Sequence, residues 1–140
     1  MSDYIMGLRK LVGHRPLLQV GASVIVENER GEVLLQKRAD NHCWGYAGGS
    51  VELDEPVEDA AARELLEETG LTADVDSSRR AVIEYPVAPK SRKQVVFFPG
   101  QVTGEPRPRP GETEQFRWVT AGELKDHLFP DTVQACQALL

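Results

Sequence analysis

GSVELDEPVEDAAARELLEETGL, residues 49–71, is the stretch from which the rest of the chain can be placed. Pro56 opens a helical pattern, because proline is tolerated in a first turn whose N–H groups have no partner anyway. Glu58 and Asp59 then complement the positive end of the helix dipole. Gly70 is the expected stop, since glycine alone turns into a left-handed cap without strain. Within the helix, Glu64, Glu67 and Glu68 stand at i, i+3 and i+4 and so share one side. Leu66, Ala62 and, more obliquely, Leu65 are expected to pack inward from the other side. Acidic residues at this spacing usually mark a solvated face. Like charges there are mildly destabilising, by ~0.2–0.5 kcal/mol per pair. A cation held between them would turn that cost into coordination energy. All-carboxylate donors suit Mg²⁺ or Mn²⁺, whereas zinc would look for the thiolates and imidazoles this stretch lacks.

The residues upstream decide between the two readings. Gly49-x5-Glu55-x7-Arg63-Glu64-Leu65-x-Glu67-Glu68-x-Gly70-Leu71 resembles the Nudix box in full, Gly-x5-Glu-x7-Arg-Glu-U-x-Glu-Glu-x-Gly-U with U apolar. At average residue frequencies a chance match at one start site is on the order of 10⁻⁹. Two neighbouring positions depart from the family habit: Ala47 stands where proline often precedes the double glycine, and Asp54 where glycine often precedes the first glutamate. Both bear on loop conformation more than on charge.

The resemblance implies roles residue by residue. Glu67 and Glu68 match the principal metal-ligand pair, and Glu64 the glutamate that ligates metal or helps activate water. Arg63 and Glu55 match a supporting pair that orients the catalytic carboxylate, with the Gly48 carbonyl completing the inner shell. A further acidic ligand often comes from a loop near the last strand, which makes Glu112 or Glu114 the candidate. Glu112, six residues before Trp118, resembles the diadenosine tetraphosphate hydrolase branch. A solvated turn explains either residue equally well. The implied activity is Mg²⁺-dependent (or Mn²⁺-dependent) hydrolysis of a phosphoanhydride in a nucleoside diphosphate linked to another group. Dinucleoside polyphosphates stand slightly ahead of (oxidised) nucleoside triphosphates and of ADP-ribose or nucleotide sugars. The implied fold is α+β, an α/β/α sandwich with a mixed sheet and a catalytic helix following a Gly-rich loop.

Working outward, Leu18–Glu27 and Glu32–Arg38 read as a strand pair joined by a turn at residues 28–31. Arg80–Val87 and Gln94–Val102 read as further strands, with Pro99 and Gly100 marking a bulge or edge. Ala88–Lys93 is expected as a basic loop in which Lys90, Arg92 and Lys93 could hold a polyphosphate while Tyr85 stacks on a base. A soluble hairpin tip accounts for the same residues. Trp44 and Tyr46 could line the pocket or pack as core aromatics. Residues 105–111 (EPRPRPG) are too rich in proline for regular structure. Gln115–Val119 could be a last strand, Thr120 and Glu123 have capping-box spacing, and Tyr4–Val12 and Pro130–Leu140 are helix candidates.

With 140 residues, 41% hydrophobic and 27% charged, the chain suits one globular domain, residues 1–140. Its formal net charge of −6 disfavours a broad nucleic-acid footprint, so no DNA partner is expected. Cys43 and Cys136 read as reduced thiols. The N-terminus lacks a signal-peptide pattern and no apolar run would cross a bilayer, so a cytoplasmic enzyme without a membrane partner, monomeric or homodimeric, is expected. A nucleotide-sensing module without catalysis would be favoured by loss of a box carboxylate, and none is lost. RNA 5′-end pyrophosphohydrolysis fits the charge poorly. Prenyl diphosphate isomerisation needs a placed cysteine that Cys43 does not clearly supply.

Overall fold

The run Leu18–Glu27 and the stretch Glu32–Arg38 both supply strands, but they do not run as partners. In the computed structural model, residues 3–15, 17–39, 42, 44–75, 80–84, 92–97, 99, 101–120 and 122–124 are described. In chain order the elements are α1 (Asp3–Val12), β1 (Gln19–Val24), β2 (Val33–Arg38), β3 (Trp44–Gly45), β4 (Ala47–Ser50), α2 (Val57–Thr69), β5 (Thr72–Ala73), β6 (Arg80–Glu84), β7 (Arg92–Phe97), β8 (Val102–Thr103) and β9 (Thr113–Val119). β1 is flanked on one side by β4, antiparallel, and on the other by β7, parallel. With both of its edges taken, β1 meets the second run only near the turn, through a bridge at Glu27–Val33 and backbone bonds from the Leu34 N–H to the Val26 carbonyl and from the Asn28 N–H to the Glu32 carbonyl. The expected hairpin is therefore confined to its closed end. β2 turns away to pair with β3 and β9.

The result is a mixed four-stranded sheet, β4-β1-β7-β6, beside an antiparallel three-stranded sheet, β3-β2-β9, with β5 and β8 forming a short pair. Helix α2 packs across β1 and β4. One apolar cluster lies under it, built from Ala22, Val24, Val26, Leu34, Ala47, Ala60, Ala61, Leu65, Leu71 and Phe97. A second cluster of Ile25, Val33, Leu35, Val96, Val119 and Leu124 collects the side chains that alternate to the opposite face. This is the expected α+β class with a mixed sheet. The terminal helix expected at Pro130–Leu140, both cysteines, Tyr85 and Lys90 lie outside the described residues.

Three expectations are corrected. Arg92 and Lys93 are not loop residues: they open β7, where Arg92 pairs with Gln19 and Lys93 with Val20 and Glu84. The strand expected over Gln94–Val102 is interrupted, β7 ending at Phe97 and β8 beginning at Val102 with a different partner. Pro99 between them has no N–H to give a ladder, which agrees with a break there. The third correction concerns the orientation of α2. Its buried residues are Ala60, Ala61, Leu65 and Thr69, while Leu66 is 53% exposed. The carboxylates Glu64 and Glu68 lie within the buried arc beside Leu65, which packs inward as expected, whereas Glu67 is half exposed and Leu66 faces out.

Candidate active site

A helix turns carboxylates toward a sheet only where the sheet leaves room. β4 provides that room through Gly48 and Gly49. A Cβ on Gly49 would fall inside the Glu64 carboxyl group, and one on Gly48 would run into the Ala22 carbonyl and Ser23. The glycines are thus required by close approach on two fronts, helix on one and neighbouring strand on the other. The turn after β4 is tight as well. Asp54 takes φ +60°, the left-handed conformation that glycine adopts freely. The Asp-for-Gly departure seen in the sequence therefore leaves the loop's conformation in place at the cost of local strain.

That turn delivers Glu55 to Arg63. The guanidinium spends all five of its donors. Nε and Nη2 bind the two Glu55 oxygens at 2.8 and 3.0 Å, Nη1 meets Glu64 at 2.9 Å and Glu67 at 3.3 Å, and Nη2 also reaches the Ser50 carbonyl at 3.2 Å. The bidentate pair holds the Glu55 carboxyl below its ordinary range and raises the proton affinity of Arg63. Arg63 is thereby a hub fixing the loop carboxylate, β4 and two helix carboxylates together.

Glu68 is held differently. One of its oxygens accepts the Gly48 N–H and the Gln36 Nε2–H, each at 2.8 Å. Burial pushes its carboxyl up to about 7, only partly opposed by these two donors and by the charge of Arg38. Burial also raises Glu64, against the pull of Arg63. Two inward carboxylates thus share too little positive charge, and their donors are hard oxygens. That combination fits a hydrated divalent cation. The side chains are turned onto their protein partners, and among the described residues no group of three acidic, His or Cys side chains converges as a metal cluster.

The other anticipated residues separate clearly. Glu112 is exposed and lies 3.8 Å from Arg109, whose Nη1 also donates to the Glu67 carbonyl. Glu114 instead pairs with Lys37 at 3.7 Å and His42 at 2.7 Å. Trp44 and Tyr46 are partly buried and pack on the second cluster, the face opposite α2. Arg92 and Lys93 sit on β7, as described above.

Sequence reasoning missed three residues. Gln36, 4% exposed, touches Glu68, and Thr113, also 4% exposed, places its hydroxyl 3.1 Å from Gln36 Oε1 and 3.3 Å from the Glu68 carbonyl. Arg109 is the third. A polar Gln36 at the inward position of Val33-Leu34-Leu35-Gln36 was a usable signal, since buried polar residues are seldom idle. The Arg109 contact crosses 42 positions of sequence and left no local trace.

The chain is similar to several known proteins. The NUDIX domain profile matches residues 17–136. A Bacillus subtilis (strain 168) protein whose name proposes 8-oxo-dGTP diphosphatase activity is 39% identical over 112 residues, covering 79% of this chain and 72% of its own. An RNA pyrophosphohydrolase of a Marinomonas species is 39% identical over 59 residues, 42% of this chain and 34% of that protein. The crystal structure of a MutT NUDIX hydrolase from Burkholderia pseudomallei superposes with a TM-score of 0.72 at 29% identity, over 87% of this chain and 98% of that one.

Proposed function

This chain belongs to the Nudix family of phosphoanhydride hydrolases, and we propose that it hydrolyses nucleoside triphosphates to the monophosphate and diphosphate in a divalent-metal-dependent reaction. The single observation carrying the reading is the carboxylate cluster of α2, with Glu64 and Glu67 clamped by Arg63 and Glu64 and Glu68 turned toward the glycines of β4. Dinucleoside polyphosphates, placed slightly ahead by the sequence alone, lose ground. Their case rested on the Glu112-x5-Trp118 spacing and on a basic loop, and two of that loop's three cations, Arg92 and Lys93, belong to a strand. A relative covering 79% of the chain carries a triphosphate substrate in its name. Hydrolysis of RNA 5′ ends ranks lower, because the match to such a protein covers 42% of the chain and the net charge is −6.

Glu67 and Glu68, with Glu64, the Gly48 carbonyl and Glu112, are the donors that would hold Mg²⁺ or Mn²⁺. The ion would supply neutralisation of the phosphate charge and a more acidic bound water. The chain's own groups provide the rest. Arg63 holds Glu64 and Glu67 beside the loop, so their carboxylates are kept together on one side of the helix. Glu64, buried against Gly49, has a raised proton affinity suited to taking the proton of an attacking water. We place the enzyme in the cytoplasm as one domain over residues 1–140. Among the described residues no helix is long and apolar enough to cross a membrane.

The test is a panel of nucleoside triphosphates, dinucleoside polyphosphates, ADP-ribose and nucleotide sugars with Mg²⁺ or Mn²⁺, products identified by mass. Triphosphates should give monophosphate and diphosphate, and Glu67→Gln should abolish the activity. Turnover of dinucleoside polyphosphates alone, or an unimpaired Glu67→Gln, would overturn the assignment.

A further inference from the structure

The proline-rich stretch after β8 does more than connect. A helix leaves its last carbonyls without intrahelical partners, and at α2 these are met one after another. The Leu66 carbonyl accepts from the Gly70 N–H, the Glu67 carbonyl from Arg109, and the Thr69 carbonyl from the Arg107 N–H. The Glu68 carbonyl lies within reach of the Thr113 hydroxyl. The segment 107–113 is thus wrapped around the turn of α2 that carries Glu67 and Glu68.

Thr113 reaches inward because of a register shift. β2 and β9 pair Gln36 with Phe116 and Lys37 with Gln115, then Arg38 with Thr113. Glu114 is therefore an extra residue. In unbroken alternation from Phe116, Thr113 would fall on the face opposite Gln36. The bulge turns it to the same face, as bulges near functional sites characteristically do. Its hydroxyl has one proton, shared between two acceptors: Gln36 Oε1 and the Glu68 carbonyl. The Gln36 amide is thereby oriented, Oε1 toward Thr113 and Nε2 toward the Glu68 carboxylate at 2.8 Å.

We propose that Gln36 and Thr113 are positioning residues, a buried hydrogen-bonded pair that sets the Glu68 carboxylate for a divalent cation and ties its geometry to the 107–113 segment. The proposal rests on the metal-dependent reading of the site, though not on the substrate named above. Such supporting partners typically govern metal affinity by ~10–100-fold. Thr113→Val keeps the side-chain volume and deletes the hydroxyl, leaving Gln36 Oε1 buried without that donor. Gln36→Met keeps the length and deletes the amide.

The probe is Mn²⁺ alone, titrated by electron paramagnetic resonance without nucleotide. Thr113→Val and Gln36→Met should each weaken Mn²⁺ binding by ~10-fold or more, while Thr113→Ser should bind like the parent. At saturating metal, the KM for nucleotide should stay within about two-fold of the parent, since these residues act through Glu68. Variants that are folded by circular dichroism and bind Mn²⁺ like the parent would overturn the proposal. A measurement on the unaltered protein guards against variants that fail to fold. The Gln36 side-chain amide signals should move on addition of Mg²⁺, and signals that stay fixed while the ion binds would overturn it equally. A parent that binds Mn²⁺ through this pair yet cleaves no triphosphate would defeat the substrate assignment and leave this inference standing.

Discussion

Glu68→Gln should stabilise the metal-free protein while disabling it, and the pH dependence of that gain is specific. The Glu68 oxygen that accepts the Gly48 and Gln36 protons can be replaced by an amide oxygen accepting the same two. What changes is the charge. Burial moves this carboxyl from an ordinary 4.5 up to about 7. At ~1.4 kcal/mol per pH unit, ionising it in the folded chain costs on the order of 3 kcal/mol, and side-chain relaxation reduces this to roughly 1–3 kcal/mol. The sign follows from proton uptake. Between these two pH values the folded state keeps a proton that the unfolded chain has lost, so stability declines as pH rises and the full penalty is present above about 7. Glutamine has no such penalty. In a chelating buffer at pH 8, Glu68→Gln should melt roughly 4–10 °C above the parent, and the gap should close toward pH 4.5. Added Mg²⁺ should raise the parent's Tm more than the variant's. A variant that melts with or below the parent at pH 8 in chelator would refute the reasoning, because the inward carboxylate would then carry no uncompensated charge.

Arg63→Lys should lower kcat/KM by ~10–100-fold with little change in Tm, as a three-donor ammonium cannot reproduce five guanidinium contacts; steady-state kinetics beside a thermal melt separates the two effects. Gly49→Ala should displace the Glu64 carboxyl and cost on the order of 10²-fold in kcat, whereas Gly48→Ala, meeting backbone, should instead lower stability by ~1–3 kcal/mol; equal effects of the two in both assays would contradict the packing described. Asp54→Gly should relieve the left-handed strain at φ +60° and stabilise the fold by about 0.5–1 kcal/mol, read from urea denaturation, and a destabilised variant would show that Asp54 contributes an interaction of its own.

Most of the site was legible because its parts are close in sequence. Glu55, Arg63, Glu64, Glu67 and Glu68 lie within one turn and one helix, so spacing alone brings them together. Their orientation was not legible. Apolar Leu66 looked like a core residue, and only the glycines of β4, by making space beneath Glu64 and Glu68, invert the faces of α2. Strand existence was read well, while pairing was not. Nothing in Leu18–Glu27 says that its edges will be claimed by β4 and β7, chain segments more than twenty and seventy residues away. The Thr113–Gln36–Glu68 contacts escaped for the same reason, since they depend on a bulge and on separations of 77 and 32 positions. The pairing of Glu114 with Lys37 and His42 likewise lies beside the register shift and left no local trace.

The central claim, that the Glu67 and Glu68 carboxylates of α2 bind the dication on which phosphoanhydride cleavage depends, is tested most directly by anomalous diffraction from crystals soaked in Mn²⁺ with a non-hydrolysable triphosphate. The account predicts manganese within ~2.0–2.3 Å of Glu67 and Glu68 oxygens, with the phosphates on its far side. Manganese bound elsewhere, or triphosphate seated away from α2, would contradict it.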